Sequence, residues 1–173
     1  SGAEELQHFV NAITTTKTEF FREREHFDWL SREIFPSIKQ SHLESGRRKI
    51  RLWSAGCSSG QEAYSLGVTA LESFRDQIDS EFDLRILGTD VNTEALSIAQ
   101  AGVYPSEAVS VLGDRPVAPY FRPMMLPEKR LSQAEKALSN LIEFRKVYLM
   151  QKDYPIATNF DVILCRNVLY YFD

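Results

Sequence analysis

Apolar residues recur along the first part of the chain at the spacing of amphipathic helices. Residues 4–13 carry Leu, Phe, Val and Ile at i, i+3, i+4 and i+7, which predicts a short helix with one apolar face. Residues 27–38 also read as helical, and we expect Pro36 to disturb the end of this second helix. Gly46, in the polar linker that follows, predicts a helix stop. The chain therefore opens with helices.

From residue 50 onward, short apolar runs alternate with helical patterns. The pattern predicts strands at 50–56, 82–90, 140–149 and 160–173, and helices at 61–75 and 91–102, the latter with Asn92 as N-cap and Gly102 as stop. This alternation predicts right-handed βαβ crossovers and hence an α/β fold with a mostly parallel sheet and flanking helices. Because the chain stops directly after the last apolar strand, we expect the sheet to lack its last strands.

The middle of the chain, residues 103–140, follows neither pattern. Prolines punctuate it, and we expect only short helical turns between them: Pro105, Pro116, Pro119, Pro123 and Pro127.

Composition and charge exclude several classes of protein. A formal net charge of −4 argues against a dedicated nucleic-acid binder. The absence of a signal peptide and of any apolar run near about 18 residues predicts a cytoplasmic protein without direct membrane insertion. Cys57 and Cys165 are far apart, which suits a reducing compartment. The histidines share no metal-ligand spacing, so no metal site is predicted.

Candidate ligand-binding positions follow from the predicted sheet. Ligands of open parallel sheets lie beyond the carboxyl ends of the strands, near the point where strand order reverses. This rule selects the turn at 54–62, the turn at 88–93, the pair Tyr148–Leu149 and the segment Cys165–Asn167.

The glycine turn and the two acidic residues that follow it suggest a ligand. Gly56 and Gly60 permit close backbone approach, although a plain strand-to-helix turn would use the same residues. Asp90 ends a predicted strand, where a carboxylate can accept from both hydroxyls of a ribose or can cap a helix. Glu62 would repel a phosphate, so a cationic nucleoside such as S-adenosylmethionine fits better than a dinucleotide.

Three further groups have open roles. Arg22 is either a solvated surface arginine or a guanidinium aimed at a carboxylate. Arg166 and Asn167 follow a strand at its carboxyl end, where polar residues either face a ligand or cap a helix. Tyr170 and Tyr171 are either core aromatics or, for one of them, a hydroxyl lining the site.

Four separated motifs carry a resemblance to a known family. The segments "TTTKTEFFRE", "LWSAGCSSGQEAYSLG", "LGTDVNTEALSIAQAGVY" and "FDVILCRNVLYYFD" resemble, in order and spacing, the CheR-type chemotaxis-receptor methyltransferases from about residue 13 to the end. The resemblance implies a Rossmann-like class I methyltransferase fold. It also implies S-adenosylmethionine-dependent methylation of glutamate side chains, with S-adenosylhomocysteine as product and the cytoplasmic domains of methyl-accepting chemotaxis receptors as partners.

The resemblance also implies site residues. Arg22 and Tyr171 fall where the family flanks the transferring methyl group. The family's cofactor contacts, together with Arg22 and the turn glycine Gly56, fall on Thr16, Thr18, Glu62, Asp90, Tyr148, Leu149, Cys165, Arg166 and Asn167.

The chain departs from the family pattern at named positions. Thr16 replaces an Asn, Gln61 replaces the first Glu of a Gly-Glu-Glu motif, and Tyr148 replaces an Asn near the adenine. Residues 122–141 correspond to a small β-subdomain but contain no glycine and little β-pattern. Residues 1–12 are interpreted as a tag remnant followed by the remnant of an N-terminal helical domain, and 13–173 as the methyltransferase domain.

The expected reaction needs no strong general base, because a substrate glutamate is already ionised near neutral pH. A competing hypothesis is a degenerate module that binds S-adenosylmethionine or its product without methyl transfer. A small-molecule methyltransferase is less consistent with the FFRE and CRN…YF motifs. A nucleotide-phosphate enzyme is disfavoured by Glu62 and by the lack of a P-loop lysine.

Overall fold

The computed structural model describes residues 2–14, 17–77, 82–110, 119–125, 127–151, 156 and 158–168. The helices are α1 (Gly2–Ile13), α2 (Arg24–Trp29), α3 (Phe35–Ser45), α4 (Gln61–Ser73), α5 (Thr93–Ala101), α6 (Ser106–Ser110) and α7 (Lys136–Ser139). The strands are β1 (Lys49–Ala55), β2 (Asp83–Asp90), β3 (Val103–Pro105), β4 (Phe121–Met125), β5 (Arg130–Ala134), β6 (Ile142–Lys146) and β7 (Val162–Leu164).

The main sheet has four parallel strands in the order β6-β2-β1-β7. The chain moves outward from β1 through β2 to β6 and then returns to the other side of β1 for β7. Strand order therefore reverses between β1 and β7, and a crevice at their carboxyl ends is the expected ligand site. The predicted α/β fold with a mostly parallel sheet is confirmed.

The two faces of the sheet carry different apolar clusters. Ile50 and Leu52 of β1 and Ile86 of β2 face the large core, which includes buried residues of α4. Trp53 of β1 and Leu87 of β2 alternate to the opposite face, where a smaller cluster includes Phe160 and Leu149. The alternation is that of buried strands whose successive side chains point to opposite faces. Both faces of the sheet are therefore covered by apolar side chains.

The helical stretch before β1 corrects one expectation. Pro36 does not disturb a helix ending near residue 38, because helix continues through α3 to the stop at Gly46, which has φ 68°. Leu30–Ile34 form a π-helical turn just ahead of it, and the Phe35 N–H donates to the carbonyl of Leu30. Such a turn shifts the hydrogen-bond ladder and lets the helix accommodate a proline ring.

A second sheet corrects the expectation of only short helical turns in residues 103–140. Its order is β3-β5-β4, with antiparallel pairing. Pro105 lies in β3 and Pro123 in β4, and both strands are edges of this sheet. Proline is tolerated at such edges although it obscures the strand pattern in the sequence. Edge-to-face contacts between Phe20, Tyr104 and Phe121 pack this sheet onto the chain entering α2.

The remaining predicted elements match with shifted ends. The strand expected at 140–149 is limited to β6, and the strand expected at 160–173 is observed as β7, its last five residues lying outside the described part of the chain. Asn92 caps α5 and Gly102 ends it, as predicted. No helix among the described residues is both long enough and apolar enough to cross a membrane.

Candidate active site

The turn after β1 is tied to the end of β2 by its own backbone. The N–H groups of Gly56 and Cys57 both donate to the carbonyl of Thr89 at 2.8 Å, and Gly60 N–H donates to the carbonyl of Cys57 at 2.9 Å. The side chain of Trp53 also donates to the Thr89 hydroxyl, at 2.9 Å. These bonds bring the glycine turn and the end of β2 to the same edge of the sheet.

Both glycines of this turn are required by protein neighbours. Gly56 has φ 79°, and a Cβ there would lie 2.3 Å from Cγ1 of Val168. Gly60 has φ 94°, and a Cβ there would lie 2.7 Å from the Cβ of Ala99 on α5. The plain-turn interpretation thus accounts for the glycines, and the case for a ligand depends on the polar residues around them.

Asp90 joins the two loops that follow β1 and β2. Its Oδ2 accepts from the N–H of Ser58 at 2.8 Å, and its Oδ1 accepts from the N–H of Asn92 at 2.9 Å. The cap of α5 is Asn92, whose side chain accepts from Ala95 N–H at 2.9 Å. Asp90 is therefore not the helix cap. A carboxylate offers about four acceptor positions, and backbone N–H groups of Ser58 and Asn92 use two of them.

Glu62 is paired within the protein. Its Oε1 accepts from the Ser54 hydroxyl at 2.7 Å and its Oε2 from Nε of Arg166 at 2.9 Å. The side chains of Glu62 and Arg166 are 12% and 11% exposed. Burial raises the pKa of Glu62, and the bonds from Ser54 and Arg166 oppose that rise. The negative charge predicted beside the glycine turn is present, with a guanidinium next to it.

Arg166 connects the turn before α2 to the loop after β7. Its Nη1 donates to the carbonyl of Arg22 at 2.9 Å and lies 2.7 Å from Nδ1 of His26. The same nitrogen lies 3.3 Å from Oε2 of Glu23, whose Oε1 accepts from Asn167 at 3.3 Å. Sequence reasoning missed Glu23, His26 and Ser54. Glu23 carried a signal as the last residue of the FFRE motif, and Ser54 as the first residue of the selected turn 54–62, whereas His26 carried none.

The guanidinium of Arg22 is directed toward the backbone of Lys17. It donates to the carbonyl of Lys17 at 3.2 Å, and its Nε lies 3.9 Å from Glu23. Its side chain is 36% exposed. Thr18 is half-buried nearby. Thr16 and Tyr171 lie outside the described residues.

Backbone strain is concentrated in these loops. Among the described residues, the non-glycine positions with positive φ are Phe21, Glu23, Ser58 and Asn167, all in the turn before α2, the glycine turn or the loop after β7. Such conformations cost on the order of 1–3 kcal/mol each and persist where surrounding structure enforces them. Clusters of such residues are typical of active and binding sites.

Comparison with known proteins identifies the family. Residues 16–173 match the family described as CheR methyltransferase, SAM binding domain. The chain belongs to the CheR methyltransferase family. A chemotaxis protein methyltransferase of Borreliella burgdorferi is 35% identical over 173 residues, which is all of this chain and 60% of that protein.

Other relatives agree. Chemotaxis protein methyltransferase 2 of Pseudomonas aeruginosa is 37% identical over 171 residues, covering 98% of this chain and 57% of that protein. The chemotaxis protein methyltransferase of Escherichia coli is 32% identical over 169 residues, covering 98% of this chain and 55% of that protein. The chain thus spans somewhat more than half the length of these relatives.

The CheR domain binds S-adenosylmethionine, and the residues at this edge fit that cofactor. Asp90 is a carboxylate at the carboxyl end of β2, the group and the position suited to accept from the hydroxyls of a ribose. Arg166 is one guanidinium between the two carboxylates of Glu62 and Glu23, so the local balance favours an ammonium or sulfonium over a phosphate.

The remaining predicted residues lie at the neighbouring strand ends. The N–H of Val147 donates to the backbone carbonyl of Asp90 at 3.1 Å. This bond places Tyr148 and Leu149, the next residues, close to the end of β2. Tyr148 is 56% exposed, whereas Leu149 and Cys165 pack in the smaller cluster with Trp53. Burial, followed by the nearby charge of Glu62, raises the pKa of the Cys165 thiol. An apolar wall and an exposed aromatic ring therefore border the site.

One cavity lies away from this edge. It has a volume of about 450 Å³, and its lining includes Arg51, Arg85, Glu143 and Phe160 but none of the predicted cofactor residues. The described residues contain no group of three or more His, Cys, Asp or Glu side chains arranged to hold a metal ion.

Proposed function

We propose that this protein transfers the methyl group of S-adenosylmethionine to glutamate side chains in the cytoplasmic domains of chemotaxis receptors, and that it acts in the cytoplasm. The single observation that carries the proposal is the buried Glu62–Arg166 pair at the strand-order reversal of a CheR-family domain. The relatives named chemotaxis protein methyltransferase support the receptor substrate.

The proposed cofactor site uses the groups at the carboxyl ends of β1, β2 and β7. Asp90 would accept the ribose hydroxyls, and Glu62 with Arg166 would hold the amino-acid end of the cofactor. Leu149 and Cys165 would border the adenine together with the exposed ring of Tyr148. Gly56, Asn167 and the segment containing Thr16 and Thr18 complete the proposed set.

When bound, S-adenosylmethionine would supply an electrophilic methyl group to a carboxylate oxygen of the substrate, and the products would be a methyl ester and the thioether S-adenosylhomocysteine. The protein contributes alignment, since a substrate glutamate is already ionised. Arg22 lies at the surface of the site and can exchange its bond to the Lys17 carbonyl for an incoming carboxylate. The hydroxyl of Tyr171 is proposed as its partner across the reacting methyl.

The proposed domain has the bounds 13–173, with residues 1–12 preceding it. The family match over 16–173 supports the start of this domain. Residues 122–141 are proposed as the equivalent of the small β-subdomain of CheR proteins, and β4, β5 and α7 give that stretch an ordered antiparallel core.

Calorimetric titration with S-adenosylhomocysteine tests the cofactor site. We expect saturable binding to the protein, and an affinity at least about tenfold lower for Asp90→Asn, because charge-assisted hydrogen bonds to the ribose are lost. Asp76→Asn is the matched control, since Asp76 is exposed and hydrogen-bonded to Lys39 away from the site. Equal affinity of both variants and the wild type would contradict the site.

Labelled methyl transfer to receptor fragments separates the enzyme from a degenerate binding module. The module is the second candidate, favoured by Thr16 and Tyr148 at positions where the family carries other residues. It predicts cofactor binding without label on the receptor.

A further inference from the structure

Glu23 connects two loops that both border the cofactor site. It ends the FFRE turn, and its carboxylate lies 3.3 Å from Nη1 of Arg166 and 3.3 Å from Nδ2 of Asn167. These contacts join residues 143 and 144 positions apart in the chain. One side chain therefore spans the gap between the turn before α2 and the loop after β7.

The backbone at both ends of this contact is strained. Glu23 has φ 55° and ψ 60°, and Asn167 has φ 56°. A glutamate gains nothing from a left-handed conformation by itself, so the surrounding contacts must hold it there. Glu23 lies directly before α2. In this conformation its carboxylate faces the loop after β7.

The charge of Glu23 acts on the same guanidinium as Glu62. Arg166 donates through Nε to Glu62, and its Nη1 side faces Glu23. Two carboxylates at different edges of one planar guanidinium fix both its position and its rotation. The ring of Phe27 adds a third restraint, with Cζ of Arg166 5.2 Å from its centroid.

We propose that Glu23 is a positioning residue: it clamps Arg166 and Asn167 in the loop after β7, so that the cofactor site is formed before the cofactor binds. Its importance for catalysis rests on the proposed function, but the clamp itself is a property of the protein without ligand. Glu23 does not need to touch the cofactor, and acts through the two residues that it holds.

Glu23→Gln tests the clamp with almost no change in size. A glutamine keeps one carbonyl oxygen but presents an amide N–H₂ to the second donor, so one of the two contacts is lost. We expect the affinity for S-adenosylhomocysteine, measured by calorimetry, to fall about fivefold, as for one partly exposed charge-assisted hydrogen bond. We expect the melting temperature to change by less than about 2 °C, since partly exposed pairs add little stability.

The matched control is Glu25→Gln. Glu25 is exposed in the first turn of the same helix, so its loss removes a similar charge from the N-terminus of α2 without touching the loop after β7. A purely structural role for Glu23 would lower the melting temperature and leave the affinity of the folded protein unchanged. Combining Glu23→Gln with Asn167→Ala should add less than the sum of the two effects if the clamp acts through Asn167.

Hydrogen exchange of the ligand-free protein makes the result independent of the proposed function. Peptides covering residues 20–23 and 165–168 should exchange faster in Glu23→Gln than in the wild type and in Glu25→Gln. If the wild type fails to bind S-adenosylhomocysteine, the proposed function fails and hydrogen exchange alone decides the clamp. Unchanged exchange in both peptides would overturn the proposal, as would a Glu23→Gln affinity equal to that of a wild type that binds.

Discussion

Replacing Arg166 by methionine tests the largely buried ion pair with Glu62, together with the bonds that Arg166 makes to the turn before α2. Methionine keeps much of the length of the arginine stem but leaves the carboxylate of Glu62 with the Ser54 hydroxyl as its only partner among the residues that the structure describes. Removing one member of a buried pair costs about 3–5 kcal/mol. Since both side chains retain slight exposure and Ser54 remains, we expect the free energy of unfolding at neutral pH to fall by about 2–3 kcal/mol.

The loss should depend on pH with a defined sign. Burial already raises the pKa of Glu62, and removing Arg166 removes a charge that lowers it, so the pKa rises further. A carboxyl group whose pKa is raised by folding favours the folded state fully below its unfolded pKa, and this contribution is lost as the pH rises through its folded pKa. The deficit of Arg166→Met relative to the wild type should therefore be smaller near about pH 5 than near about pH 8.

Urea unfolding followed by circular dichroism at the two pH values measures this deficit. Arg145→Met is the control, because Arg145 forms an exposed pair with Glu143 and its loss should leave stability unchanged at both pH values. In a Glu62→Gln background the cost of Arg166→Met should shrink, since no buried charge is then left unpaired. Two results would contradict this prediction: an equal loss of unfolding free energy in Arg166→Met and Arg145→Met, or a loss in Arg166→Met that is larger at the lower pH.

Three further predictions concern residues that pack around the site. Gly60→Ala should lower the free energy of unfolding in urea by about 2–3 kcal/mol, because its positive φ and the 2.7 Å approach to Ala99 act together. Gly46→Ala, with positive φ but open space around the Cβ, should lower it by about 1 kcal/mol. Equal losses for the two variants would disprove the close approach. Asn92→Ala should cost about 1–2 kcal/mol, through loss of the N-cap of α5 and of the bonds that the Asn92 amide donates to the Asn11 carbonyl and the Thr14 hydroxyl; Asn92→Asp should restore only the capping part, and equal stability of Asn92→Ala and the wild type would exclude a capping role. Burial, with added repulsion from nearby carboxylates, raises the pKa of Cys57 well above its usual range, so Cys57 should resist alkylation until the protein unfolds; rapid labelling of the native protein, located by mass spectrometry, would contradict this.

The sequence pattern was sufficient to predict the elements that form the main sheet. Strands β1 and β2 are short apolar runs bounded by polar segments, and α5 carries its own start and stop signals in Asn92 and Gly102. These signals are local, and tertiary packing reinforces them. The position of the site followed from strand order, since polar residues at the carboxyl ends of parallel strands meet at one edge.

The second sheet and the helix through Pro36 were not predictable by the same means. Pro123 reads as a strand breaker, and only its place on an edge strand makes it harmless. Pro36 reads as a helix breaker, and the π-helical turn before it was not visible in the apolar spacing. Both outcomes depend on the neighbours that a residue meets after folding.

The polar network of the site was predicted only in part. Glu62, Asp90 and Arg166 were identified from their positions, but their partners depend on contacts between distant segments. His26 lies 140 residues from Arg166 in the sequence, and no local pattern connects them. The charge beside the glycine turn was predicted without its counter-ion, because the folded loop after β7 supplies the guanidinium.

Methyl ester formation on a receptor is the most direct test of the proposed methyltransferase function. The protein would be incubated with methyl-labelled S-adenosylmethionine and the cytoplasmic fragment of a chemotaxis receptor, and the label released from the receptor by mild base would be counted. With the wild type we expect base-labile label on glutamate side chains of the receptor. With Asp90→Asn we expect the amount of this label to fall at least about tenfold. Saturable S-adenosylhomocysteine binding without any base-labile label on receptor fragments would contradict it and would favour the binding module.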